Sequence, residues 1–96
     1  MSAYLFAKLT VTDPSWLPEY TEHVTKQLAD IGATYRVRSM DDVVLEGDIP
    51  EPTAVVLIEF PSMDIAKEWY HSDEYQRLVK LRQTGSTIEM FLAEGL

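Results

Sequence analysis

Hydrophobic and polar residues alternate from Ala3 to Val11, with Leu5, Ala7, Leu9 and Val11 set against Tyr4, Phe6, Lys8 and Thr10. A period of two predicts a strand. Asp13-Pro14 has the chemistry of a helix cap and first helical position, and from Leu17 the residues Tyr20, Val24, Leu28 and Ile31 recur every three or four places. This predicts an amphipathic helix stopped by Gly32. Its first turn should be distorted, because a proline inside a helix, here Pro18, costs roughly 3 kcal/mol. Residues 33–39 read as a second strand, with Tyr35 and Val37 on one face and Thr34, Arg36 and Arg38 on the other. Residues 41–52 form an acidic connection containing VVLEG, a candidate edge strand. The run TAVVLIEF over Thr53–Phe60 is the most apolar of all, as suits a central strand. Ser62 is placed to cap a short helix with the face Ile65, Ala66, Trp69 and Tyr70. Ser72, followed by Asp73 and Glu74, opens another that carries Lys80 and Arg82 in its last turn and ends before Gly85. Residues 87–94 alternate again as a last strand.

The resulting order, strand, helix, strand, strand, broken helix, strand, is that of a split βαβ unit. It predicts an α+β, ferredoxin-like βαββαβ antiparallel sheet with helices on one face. If Leu5, Ala7, Leu9, Ala54, Val56, Ile58, Ile88, Met90 and Leu92 face the helices, the other face holds Phe6, Val55, Leu57 and Phe91 together with Lys8, Arg36, Arg38, Glu59 and Glu89. Large apolar groups gathered on an open sheet face mark an interface, so a homodimer through that face is expected. A half-polar face left to solvent is the plainer alternative.

At 96 residues the chain has room for one domain, residues 1–96, and a domain this small gains burial by associating. Its formal net charge of −8 disfavours nucleic acid and anionic membranes as partners. There is no cysteine, which excludes thiolate chemistry and disulfides. The opening residues have too short an apolar run for a signal peptide, so a cytoplasmic protein is expected.

TVTDP near the start, TYRVR, VLEGD, VVLIEFPS, KEWYHSDEYQRL and the closing AEG come in an order that resembles the domain of unknown function 1330 family, within the dimeric α+β barrel superfamily. The resemblance spans essentially the whole chain. It implies two sheets packed face to face with the helices outside, in a superfamily that includes cofactor-independent monooxygenases. Where the family tends to have a glycine pair after Arg38, this chain has Ser39-Met40. The family lends a fold without a mechanism.

No Gly-rich phosphate loop, metal-spaced His cluster or nucleophile elbow is present, so neither a metal nor a cofactor is expected. Histidine is the residue type suited to proton transfer near neutrality, and the chain has two, His23 and His71. His23, at the margin of the first helix's apolar stripe, is the candidate general base; a surface histidine is the plain reading of each. Arg82 continues the stripe Tyr75, Leu78, Val79, and Arg38 ends a strand on the open, barrel side. A guanidinium so placed either pairs with Glu46, Glu59 or Glu89 or binds an anionic ligand. Tyr20, Tyr35, Trp69, Tyr70 and Tyr75 are core by spacing, yet their polar tips need partners. The acidic run Asp41, Asp42, Glu46, Asp48 and Glu51 lacks the spacing of a calcium loop and reads as a solvated edge.

The expected cleft therefore lies between the first helix and the sheet, with Tyr20, Trp69 and Tyr75 binding a small organic ligand. His23, Arg82 and, at the rim, Arg38 are the catalytic candidates. Two functional classes follow. One is a cofactor-independent enzyme on a small carbonyl-bearing or aromatic metabolite, and the other is a non-catalytic ligand-binding or regulatory dimer.

Overall fold

The computed structural model describes residues 1–49 and 53–96. Its elements are β1 (Ala3–Val11), α1 (Leu17–Asp30), β2 (Thr34–Ser39), β3 (Thr53–Phe60), α2 (Met63–His71), α3 (Asp73–Arg82) and β4 (Ser86–Glu94). The four strands form one antiparallel sheet in the order β2-β3-β1-β4, with the helices on one face. This is the ferredoxin-like arrangement expected from the hydrophobic periods. The VVLEG segment forms no strand, and Glu51 lies outside the described residues.

Side chains cap the 3₁₀ turn that leads into α1, and the starts of α2 and α3. Asp13 accepts from Ser15 N at 3.0 Å and opens a 3₁₀ turn, Pro14–Trp16, ahead of α1. Pro18 falls in the first turn of α1, where its missing N–H is no loss, so the expected cost of an interior proline does not arise. Ser62 accepts from Ile65 N at 3.1 Å. Ser72 accepts from Tyr75 N at 3.2 Å while its hydroxyl donates to Trp69 O at 2.6 Å, so one residue ends α2 and starts α3. Gly32, at φ +76°, turns the chain out of α1.

Leu5 pairs with Ile58 and Leu92, Ala7 with Val56 and Met90, and Leu9 with Ala54 and Ile88. These residues meet Val24, Leu28, Trp69, Tyr75 and Leu78 from the helices. On the other face Phe6 stacks on Phe91, ring centroids 5.1 Å apart, and both stay in contact with solvent.

β2 corrects one expectation. Tyr35 pairs with Ile58 and Val37 with Leu57, so two steps along β2 match one along β3 and Arg36 is the extra residue of a β-bulge. Strict alternation would put Tyr35 and Val37 on one face and Arg38 on the other. The bulge instead leaves Val37 on the open face and sets both Tyr35 and Arg38 on the helix side.

Candidate functional site

Two adjoining cavities separate α1 from the sheet. The outer one, about 340 Å³, opens beside the start of α1 and is walled by Trp16, Leu17, Tyr20, Tyr35, Arg38, Met40 and the strand residues Leu9, Ala54 and Val56. The inner one, about 50 Å³, lies between the sheet and Tyr20, Tyr35, Trp69, Tyr75 and Arg82. Leu9, Tyr20, Tyr35 and Val56 belong to both. A larger groove of about 590 Å³ runs outside, between α1 and the α2–α3 pair, lined by Asp30, Glu68 and Glu74. That groove carries no histidine or cation.

Arg82 is the unusual residue. It sits in the last turn of α3, where the helix C-terminus favours a cation, yet only 3% of it is exposed. Its Nε has no hydrogen-bond partner. The glutamates that the sequence offers as partners are placed elsewhere: Glu59 accepts from Arg36 Nε at 2.8 Å, Glu89 pairs with Lys8 at 3.6 Å, and Glu46 is exposed. Among the described residues no carboxylate reaches Arg82 within ion-pair distance.

Beside it the hydroxyls of Tyr20 and Tyr75 lie 2.7 Å apart. Burial pushes the phenol of Tyr20 well above its ordinary range, and the neighbouring Tyr75 adds to this. Burial raises Tyr75 as well, against the hydrogen bond from Tyr20 and the pull of Arg82. Both are neutral hydrogen-bond donors at physiological pH. Tyr75 is sealed between Trp69, at 4.0 Å between centroids, and Tyr70, at 5.6 Å. Trp69 contributes only its ring, since its Nε1 donates to Gln27 Oε1 at 3.1 Å on the far side.

At the mouth the Arg38 guanidinium lies over the Tyr35 ring, 5.0 Å from its centroid. Of the residues singled out from sequence, Tyr20, Trp69, Tyr75, Arg82 and Arg38 thus line the two cavities. His23 does not: it is exposed and lines neither, as a helical position one turn from Tyr20 but rotated outward. His71 is exposed too, its ring against Tyr70. Sequence reasoning missed Trp16, and it placed Val37 and Arg38 on the wrong faces of β2. Trp16 is buried, and its Nε1 has no partner. The signal for it was Asp13-Pro14, which opens a turn that sets Trp16 beside Gly85 and the Tyr20 ring.

The match to the family described as Domain of unknown function (DUF1330) runs over residues 2–96. The chain belongs to this family. No curated protein matches it by sequence. Among solved structures it is similar to a protein of unknown function from Rhodopseudomonas palustris, with TM-score 0.80 and 16% identity over 99% of this chain and 82% of the other. It is also similar to SnoaB, a cofactor-independent oxygenase from Streptomyces nogalater, with TM-score 0.69 and 11% identity over 99% and 93%. A third is a dimeric protein of unknown function and ferredoxin-like fold from Bacteroides fragilis, with TM-score 0.62 and 16% identity over 98% and 96%. At such identities the likeness carries the fold of the family member and leaves its chemistry to the residues in the cavity. No helix among the described residues is long and apolar enough to cross a membrane.

Proposed function

We propose that this family member is a homodimer whose inner cavity binds a small organic anion and steadies negative charge on one of its oxygens, the work of a cofactor-independent enzyme acting on a carbonyl-bearing or aromatic metabolite. The observation that carries this reading is Arg82, a buried cation without a carboxylate partner among the described residues, set beside two phenols held neutral. An uncompensated buried charge is costly, several kcal/mol in general, and an anionic ligand offsets that cost. When a carbonyl compound loses a proton from the adjacent carbon, the electron pair moves onto its oxygen. Arg82 and a phenol O–H would stabilise that oxyanion more than the neutral carbonyl, which is the condition for catalysis. A fold of this kind also supports an enzyme described as a cofactor-independent oxygenase.

Among the described residues the inner cavity has no side chain that is a base at neutral pH: its phenols are neutral and its one arginine, Arg82, is a cation. Water in the open cleft is then the proton acceptor. This same observation favours a second reading, a binding protein without turnover. Incubating the protein in D₂O with small 2-oxo acids and aryl ketones separates the two. Catalysed exchange of the proton beside the carbonyl, followed by NMR, supports the enzyme. Binding without exchange supports the second reading, and neither binding nor exchange by folded protein overturns both.

Dimerisation through the open face rests on its composition. Phe6, Val37, Val55, Leu57 and Phe91 form its apolar part, while the nearby charges are already paired within the chain as Lys8 with Glu89 and Arg36 with Glu59. Paired charges around an apolar centre suit a buried interface.

A further inference from the structure

We infer that the ligand is a planar molecule with an anionic group at each end, the inner one held by Arg82 and the outer one by Arg38. This rests on the reading of Arg82 above and extends it with observations made at the other end of the cleft.

The first is the bulge at Arg36. Alternation along β2 would turn Arg38 toward the open face, and one extra residue turns it into the cleft instead. Bulges recur beside binding sites because they re-aim a side chain without breaking the sheet. The second is how Arg38 is held. Its guanidinium lies over the Tyr35 ring and also hydrogen-bonds the Tyr35 side chain, and no carboxylate among the described residues pairs with it. Tyr35 thus positions the guanidinium, and its remaining N–H groups can hold a carboxylate.

The third observation concerns charge. The chain has 16 acidic residues and a net charge of −8, yet among the described residues no Asp or Glu lines either cavity. The groove behind α1 shows what the rest of the surface is like, with Asp30, Glu68 and Glu74 in its walls. Two arginines in a carboxylate-free cleft, on a protein that is otherwise acidic, select for anions and for more than one negative charge. Size sets the rest. A cavity of about 50 Å³ admits a group no larger than a carboxylate, and the adjoining 340 Å³ admits a ring or a short conjugated chain. Tyr20 and Tyr35, common to both, flank the passage and provide aromatic walls for a flat body.

Calorimetric titration of the full chain with rigid dianions of increasing length, fumarate, trans,trans-muconate and terephthalate, and with their monomethyl esters tests this. At least one dianion should bind about tenfold or more tightly than its own monoester, the scale of one charge-assisted contact. The Arg38→Gln variant should erase that difference, leaving both at the monoester's affinity. The Arg82→Met variant should abolish binding of both. Arg38 is exposed, so its variant does not threaten folding, which circular dichroism checks. Equal affinity of dianion and monoester, with Arg38→Gln without effect, overturns the two-ended ligand and leaves the Arg82 reading standing. Failure of every dianion and every monoester to bind folded protein overturns both.

Discussion

Arg82 carries two opposed consequences. With no ligand its buried guanidinium is a liability, because replacing it by an apolar side chain of similar length removes a desolvation cost that is set against the helix C-terminus and the Tyr75 phenol rather than against a carboxylate. Arg82→Met should therefore raise the stability of the ligand-free protein by about 1–4 kcal/mol in urea unfolding, while removing anion binding. A loss of stability would show instead that Arg82 is a structural residue. The tyrosines make a second prediction. Tyr20, Tyr35 and Tyr75 all have phenols raised by burial. The folded state thus keeps protons that the unfolded chain loses near pH 10. Their contribution to stability is whole below about pH 10 and is lost as the pH rises beyond it. The unfolding midpoint should fall over that window, and the absorbance of these phenolates should appear together with unfolding. Tyr75→Phe should make the decline shallower.

At the scale of elements, a tie between the ends of two strands lies beside Trp16, one wall of the outer cavity. Thr12 N and Asp13 N both donate to Gly85 O, at 2.8 and 3.0 Å, which joins the turn after β1 to the turn before β4. Gly85 is buried there, and a Cβ on it would lie 2.1 Å from Asp13 O and 2.8 Å from the Trp16 ring. Backbone on that side cannot give way as a flexible side chain would. Gly85→Ala should cost about 1–3 kcal/mol, as overpacking does, and should displace Trp16 from the wall of the outer cavity. Denaturant unfolding reads the first effect and tryptophan fluorescence the second. An unchanged emission spectrum at reduced stability would separate the tie from the shape of the cleft.

For the whole molecule the question is what covers the open face of the sheet. Phe91 is 62% exposed and Phe6 38%, and Leu57 pairs with Phe6 on one side and Val37 on the other, near the middle of the apolar group. A second copy of the chain, as proposed above, would cover all of it at once. Light scattering after size exclusion should give twice 11.0 kDa. Leu57→Glu places an unpaired carboxylate in that interface and should yield a monomer or a poorly folded chain. A wild-type monomer at micromolar concentration would overturn the dimer, without touching the fold or the cavity, both of which are complete within one chain.

The order of elements, the caps at Asp13, Ser62 and Ser72, the stop at Gly32 and the division of β1, β3 and β4 into a helix face and an open face follow from the sequence alone. They are set by local chemistry and by periods of two and 3.6, which a single chain displays along its length. Tyr20, Trp69, Tyr75 and Arg82 were legible for the same reason, as members of apolar stripes or extensions of them. The tertiary structure decided what depends on distance between elements. Which face Arg38 occupies turns on one extra residue opposite β3, and periodicity within β2 does not show it. That Glu59 and Glu89 pair with Arg36 and Lys8, and so are not partners of Arg82, depends on register across all four strands. His23 faces solvent because α1 is rotated to bury Tyr20, Val24 and Leu28, and a residue at the edge of a stripe goes inside or out according to how the helix settles on the sheet.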